Sequence, residues 1–157
     1  MTGEEAVMDR SMPGWGHGRI IVGYDGSDEA KHALEWAVQV CARLDATLGI
    51  VHAWHRPPMG AWAAEGTGNG VRHAAEAVVA EGVVLASALD ASVSVKGEEV
   101  ESHSAAGALV NASEDADLLV VGSRGREGFT GLLLGSVGHA TAAHAHCPVV
   151  IVRRSEH

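Results

Sequence analysis

Short apolar runs alternate with segments of helical periodicity along this chain of 157 residues. Three to five consecutive apolar residues, without strict apolar–polar alternation, are typical of strands that are covered on both faces of a sheet. The predicted strands read RIIVGYD, ATLGIVHAW, SVSVKGEEVES, ADLLVVG and PVVIVRR. Helical segments are predicted after Ser27, over 71–89, over 103–113, and from Gly135 to about His144. This order predicts an α/β fold with one doubly wound parallel sheet.

The length of the chain fits one domain with a core of its own. Residues 1–18 are polar and are broken by Pro13 and by glycines, which predicts a flexible N-terminal tail before a domain over 19–154. Residues 55–70 are rich in proline and glycine, and we expect an irregular loop there. The third strand is expected near an edge of the sheet. Ser27 is expected to cap the first helix, whose apolar stripe is Ala30, Leu34, Ala37, Val38, Cys41 and Leu44.

The formal net charge of −9 disfavours long-range attraction to nucleic acid or to an anionic membrane. An apolar run of the ~20 residues that span a bilayer is missing from the sequence. The N-terminus also lacks the apolar centre of a signal peptide, so the expected location is the cytoplasm. Cys41 and Cys147 have no CxxC spacing, and we expect two buried, reduced thiols.

A dense series of glycines follows the fourth predicted strand, in VVGSRGREGFTGLLLGSVG over 120–138. Bare backbone between a strand and a helix N-terminus forms anion sites, typically for phosphate. Gly122 and Gly125 follow the strand, and Gly135 with Ser136 opens the helix. We expect the Ser136 hydroxyl both to cap this helix and to donate to a phosphate oxygen. Cationic charge nearby comes from Arg124 and Arg126.

Other interpretations of these segments stay open. The glycines could form a capped loop without a ligand. GLLLGS lacks the lysine of a P-loop, and the first turn, GYDGS, does not match the dinucleotide pattern GxGxxG. Asp25, just after Gly23 at the end of the first strand, can accept hydrogen bonds from ribose hydroxyls or can bond its own turn. The end of the second strand, around Ala53, could contact a base through its backbone.

The glycine segment fits G-x2-G-x9-G-[ST], and this resembles the nucleotide-binding signature of the ATP-binding subgroup of the universal stress protein family. The flanking sequences RIIVGYDGS, DADLLVVGSRGREG, GLLLGSV and HCPVVIVRR agree with it. The resemblance covers about residues 19–153. It implies a five-stranded parallel sheet in the order 3-2-1-4-5 with four helices. It also implies a homodimer formed through the last strand.

By the same resemblance the chain binds ATP, with or without Mg²⁺. Asp25 would contact the ribose, and the Ala53 backbone would contact adenine. Amides of the glycine loop and of the following helix would hold the phosphates. The ATP-binding residues implied are Gly23, Asp25, Ala53, Gly122, Arg124, Gly125, Gly135, Ser136 and Val137. One departure from the family is His103-Ser104, where many relatives have Gly/Ser-Pro.

The resemblance implies a cytoplasmic regulatory protein in the stress response, in which ATP occupancy alters conformation or partner contacts. The alternative is a stress protein that acts only through protein contacts and does not use ATP. Neither a nucleophile elbow nor a paired-carboxylate motif is present, so we expect no enzyme beyond slow ATP hydrolysis. An adenylate-forming enzyme would need SGGxDS, which is absent. We expect no metal site at His144, His146 and Cys147, because histidines are favoured near a helix C-terminus.

Overall fold

A computed structural model of the chain describes residues 18–58, 67–124 and 134–154. Within these ranges five strands alternate with four α-helices, as the sequence predicts. The strands are β1 (Arg19–Gly23), β2 (Thr47–Trp54), β3 (Val95–Glu101), β4 (Leu118–Gly122) and β5 (Val149–Val152). The helices are α1 (Asp28–Leu44), α2 (Thr67–Leu89), α3 (Ala105–Ala112) and α4 (Ser136–His144), and a 3-10 turn (Ser113–Asp115) follows α3.

The strands form one parallel sheet in the order β3-β2-β1-β4-β5. This confirms the predicted strand order and the position of β3 at an edge. In the centre of the sheet Val22 of β1 lies between Ile50 of β2 and Val120 of β4. From β1 the chain continues to β2 and β3 on one side of β1, and it then crosses to β4 and β5 on the other side. The sheet therefore has its topological switch point at the carboxyl ends of β1 and β4.

Successive residues of the central strands are buried on opposite faces of the sheet. Ile20 and Val22 pack with α1 and α2, whereas Ile21 packs with α3 and α4. Leu118 and Leu119 of β4 divide in the same way between the two clusters. Because both faces are covered by helices, the strands read as unbroken apolar runs.

The first helix begins as predicted, since the Ser27 Oγ accepts a hydrogen bond from the Ala30 N–H at 3.2 Å. Its apolar stripe is buried except at the last predicted position, where Leu44 is 43% exposed. Ala33 is buried instead. The helix ends at Leu44 because Asp45 takes the left-handed conformation, with φ 53°. Leu44 therefore lies in the final turn, away from the sheet.

Three boundaries differ from those that the sequence predicts. The helix α2 begins at Thr67, so the last part of the predicted 55–70 loop is helical, while 59–66 lie outside the described residues. The cap of α4 is Gly135 in an extended conformation, and no side-chain cap bond forms there. The predicted cap role of Ser136 is thus wrong, because Ser136 is already the first helical residue, one position too late to cap. Gly18, assigned above to the tail, is buried, and its carbonyl accepts from the Thr47 N–H at 2.9 Å.

Candidate functional site

A cavity of about 110 Å³ lies at the carboxyl edge of the sheet, at the switch point between β1 and β4. Open α/β sheets bind their ligands at this place, because the helices there diverge and leave a crevice. Residues from the ends of β1, β2 and β4 line the cavity together with residues of α1, α3 and α4. They are Gly23, Tyr24, Asp25, Ser27, Ala30, Val51, His52, Ala53, Ala105, Leu109, Val121, Gly122, Arg124 and Val137.

The cavity brings together most of the residues that the sequence singled out. Six of the nine line it: Gly23, Asp25, Ala53, Gly122, Arg124 and Val137. Gly135 and Ser136 are described but do not line it, and Ser136 is exposed to solvent at the start of α4. Gly125 lies outside the described residues.

Asp25 takes part in the turn that connects β1 to α1. Its Oδ1 accepts a hydrogen bond from the Ser27 N–H at 2.9 Å. Gly26 between them has φ 79°, in the left-handed region that glycine reaches without strain. The alternative interpretation of Asp25, that it bonds its own turn, is therefore confirmed for one carboxylate oxygen. The same turn holds Asp25 in the wall of the cavity.

At two glycines of the cavity, an added side chain would meet atoms of a closely packed helix. A Cβ on Gly122 would lie 3.0 Å from the Glu29 carbonyl oxygen, which belongs to the backbone of the first turn of α1. A Cβ on Gly23 would lie 2.8 Å from Leu109 Cδ1 of α3 on the opposite face of the sheet. Bare backbone at these positions thus has a packing cause, whatever ligand the cavity holds.

The N-terminus of α4 is brought back to the end of β4 by backbone hydrogen bonds. The Ser123 N–H donates to Val152 at 2.9 Å, and the Gly135 N–H donates to the Ser123 carbonyl at 2.6 Å. The Gly135 amide is therefore engaged within the chain. The next amides, of Ser136 and Val137, belong to the first turn of α4, whose N–H groups have no partners inside the helix. They lie at the positive end of the helix dipole.

Tyr24, which the sequence analysis missed, lines the cavity and is buried under it. Its hydroxyl donates to Glu81 Oε1 of α2 at 2.5 Å, and Lys31 Nζ of α1 lies 3.7 Å from the same oxygen. Burial, together with the neighbouring Glu81 carboxylate, raises the pKa of Tyr24 well above its usual value. The phenol therefore stays neutral. Because the Glu81 carboxylate of α2 contacts both Tyr24 and Lys31, it connects α2 to α1 and to the wall of the cavity.

His52 is a second cavity residue that the predicted set of nine does not include. Its Nδ1 lies 2.8 Å from the Tyr24 carbonyl oxygen. Because a carbonyl only accepts, this nitrogen carries the proton, and a neutral His52 has its lone pair on Nε2. The position of His52 immediately before Ala53, in a strand that ends at the ligand edge, was the signal that could have identified it.

The charges near the cavity are unevenly distributed. Arg124 lines the cavity at the end of β4 and supplies positive charge. Glu29 Oε2 is buried without a hydrogen-bond partner in the described part of the chain. In that part, no group of three or more His, Cys, Asp and Glu side chains is arranged to hold a metal ion. Positive charge at the cavity comes from the Arg124 guanidinium and from the N-terminus of α4, and both of these groups attract anions.

The two cysteines are free thiols, and they differ in environment. Cys41 is 1% exposed, and burial raises its pKa to about 11. Cys147 is only half-buried, contrary to the prediction that both are buried. Partial burial and the nearby Asp117 carboxylate raise the pKa of Cys147 as well.

A five-stranded 3-2-1-4-5 sheet with a cavity at the β1–β4 switch point defines the class of doubly wound α/β proteins. Residues 16–153 match the model of the universal stress protein family, and the chain belongs to that family. It is 34% identical over 147 residues to universal stress protein Rv2623 of Mycobacterium tuberculosis (strain ATCC 25618 / H37Rv). That alignment covers 94% of this chain and 49% of the relative, so the chain spans about half the length of the curated relatives that it matches.

Solved structures agree with this assignment. A universal stress protein crystallised in complex with cAMP is 30% identical, with a TM-score of 0.69, and the match covers 89% of this chain and 99% of that one. Hypothetical protein MJ0577 superposes with a TM-score of 0.73 over 90% of this chain and 99% of its own, at 19% identity, which shows the shared fold. In the ranges that the structure describes, none of the helices is long and apolar enough to cross a membrane.

Proposed function

We propose that this chain is an ATP-binding universal stress protein of the cytoplasm. In this proposal, ATP occupies the cavity at the switch point, and its presence or absence alters conformation or partner contacts in the stress response. One observation carries the proposal: Asp25, Ala53, Gly122 and Arg124, from three neighbouring strand ends, line a single cavity. These are the residues for ribose, base and phosphate that the family signature implies.

The order of the groups along the cavity fits a nucleotide. Asp25 can accept hydrogen bonds from ribose hydroxyls, and it would repel a phosphate placed beside it. On the other side of the switch point, Arg124 and the first turn of α4 favour the phosphates. Ala53, at the end of β2, offers its backbone to the base. The solved relative in complex with cAMP supports an adenine nucleotide as the class of ligand.

Regulation rather than turnover is the proposed role. Of the polar groups in the cavity wall, Asp25 Oδ1 accepts from the Ser27 N–H and His52 Nδ1 lies against the Tyr24 carbonyl oxygen, so both of these contacts are made to backbone groups. ATP hydrolysis would therefore be slow at most, with Mg²⁺ bound through the phosphates rather than by a protein cage. Nucleic acid and membrane surfaces are not proposed as partners, because the net charge of −9 opposes both.

The proposed assembly is a homodimer through β5. This strand lies at the edge of the sheet, and each of its four residues is only half-buried in the single chain. An apolar strand with one open edge tends to be paired or covered. Light scattering at tens of micromolar protein should give the mass of a dimer, and a monomer at that concentration would reject this assembly.

The ligand is tested by calorimetric titration of the intact chain with ATP, cAMP and tripolyphosphate. We expect ATP to bind at one site per chain. Asp25→Ala should weaken ATP binding by about tenfold, as expected for a lost hydrogen bond to a charged group, and should not weaken tripolyphosphate binding. Ser136→Ala should weaken ATP and tripolyphosphate together.

The competing function is a stress protein that works only through protein contacts. It predicts no heat of binding for ATP with a folded wild-type chain. Tight binding of cAMP without ATP would keep the cavity as a nucleotide site but would change the proposed ligand.

A further inference from the structure

Two histidines meet at the carboxyl ends of the neighbouring strands β2 and β3. His55 directly follows β2, and His103 comes two residues after β3. Their ring centroids are 4.6 Å apart, and the ring planes are tilted by 56°. Both residues are exposed, and no hydrogen bond of either imidazole is found in the described part of the chain. The parallel register of β2 and β3, with Trp54 opposite Glu101, is what brings them together.

The separation of the rings fits two imidazoles that bind one ion. Imidazole nitrogens bind zinc at about 2.0–2.1 Å, which places the centres of two such rings between about 4.5 and 5.2 Å apart for angles from 90° to tetrahedral at the metal. The observed 4.6 Å lies in this interval. Because both side chains are exposed, small rotations can turn one nitrogen of each ring toward a common point.

The surroundings hold one carboxylate and one guanidinium, and within the ranges that the structure describes they do not supply a third protein ligand. Glu101 interacts electrostatically with both His55 and His103. Its carboxylate is already held by Arg56, with Nε 3.1 Å from Oε1, and the Arg56 guanidinium lies over the Trp54 ring at 5.4 Å. This agrees with the finding that no group of three potential ligands converges among the described residues. A net charge of −9 adds a favourable field for any cation.

We propose that His55 and His103 together bind one divalent transition-metal ion, with water completing its coordination. Neutral imidazole selects ions such as Zn²⁺, Ni²⁺ and Cu²⁺ over Mg²⁺ and Ca²⁺, which prefer oxygen ligands. The pair lies beside the cavity, because Ala53 and Ala105, each two residues from one of the histidines, line it. The site is formed by these two side chains alone, and it does not depend on nucleotide binding.

The test is calorimetric titration of the intact chain with Zn²⁺ alone, in the absence of nucleotide. Wild type is compared with His55→Ala, with His103→Ala and with the double variant. Both residues are exposed, so the variants should fold, which circular dichroism checks. Each single substitution should remove the same binding site, weakening it by at least about tenfold, because a lone imidazole gives no chelate. Titration with Mg²⁺ should show no binding at this site.

The matched control is His73→Ala, which removes another exposed histidine, one that contacts a carboxylate of α2, Glu76, at 3.1 Å. This variant should keep the site. With Cu²⁺ in place of Zn²⁺, electron paramagnetic resonance should report two coupled nitrogens in wild type and one in each single variant. The proposal is overturned if the single variants bind Zn²⁺ as wild type does. It is overturned equally if each variant loses a different site, since the two histidines would then bind independently.

Discussion

Replacing Gly122 by alanine should destabilise the protein even without a nucleotide. The added Cβ would lie 3.0 Å from the Glu29 carbonyl oxygen and 3.1 Å from its carbonyl carbon, closer than ordinary van der Waals contact. Both atoms belong to the backbone of the first turn of α1, so no side-chain rotation can relieve the contact. Overpacking of this kind costs about 1–3 kcal/mol. The lower entropy of the unfolded chain offsets about 0.4–1 kcal/mol of that.

Taken from the middle of both ranges, the expected net loss is about 1.3 kcal/mol, which for a chain of this size corresponds to a fall in Tm of roughly 3–5 °C. Urea unfolding followed by circular dichroism should show a lower midpoint with an unchanged m-value. Gly70→Ala is the matched control, because nothing lies within 4 Å of its Cβ position in α2. That variant should be more stable than wild type by about 0.5–1 kcal/mol. The packing explanation is refuted if Gly122→Ala behaves like Gly70→Ala.

Three further predictions concern single side chains. Tyr24 is the chain's only tyrosine, so tyrosinate absorbance reports on this residue alone. Because its pKa is raised in the folded protein, the native chain should show no tyrosinate near pH 10. The free energy of unfolding should fall as the pH rises above about 10, the pKa of tyrosine in the unfolded chain. Ellman's reagent at pH 8 should label only Cys147 in the native chain and also Cys41 after denaturation; two fast native thiols would contradict the burial of Cys41. Ser27→Ala should cost about 0.5–2 kcal/mol of unfolding free energy through the lost cap, whereas Ser136→Ala should cost under about 0.5 kcal/mol; equal losses would reject this assignment of the two caps.

The order of elements could be predicted from the sequence because the central strands β1, β2 and β4 are buried on both faces and so read as apolar runs. The cap at Ser27 was predictable too, since serine followed by Asp28 and Glu29 is a local signal. The cap of α4 was not, because glycine and serine are adjacent and both suit a helix start. Which of them takes the extended conformation depends on the bond between the Gly135 N–H and Ser123, which no local pattern reveals.

The candidate site could also be predicted only in part. Asp25 and Ala53 could be placed at the ligand edge because the ends of parallel strands meet there. Tyr24 and His52 were not among the predicted site residues, since their roles depend on contacts with distant residues, Glu81 in the one case and the Tyr24 carbonyl in the other. Glycine density indicated bare backbone but could not separate its causes. At Gly122 the structure shows that the backbone of α1 excludes a side chain.

The central claim is that the cavity at the switch point holds an adenine nucleotide, and the most direct test blocks that cavity. Ala105, at the start of α3, lines the cavity yet is exposed, so Ala105→Trp should fill the cavity without disturbing the core. Ala142→Trp, at an exposed position of α4 that does not line it, is the control. Calorimetry should show one ATP per chain for wild type and control, and binding at least about tenfold weaker for folded Ala105→Trp. Equal ATP affinity in all three proteins, or none in wild type, would contradict the claim.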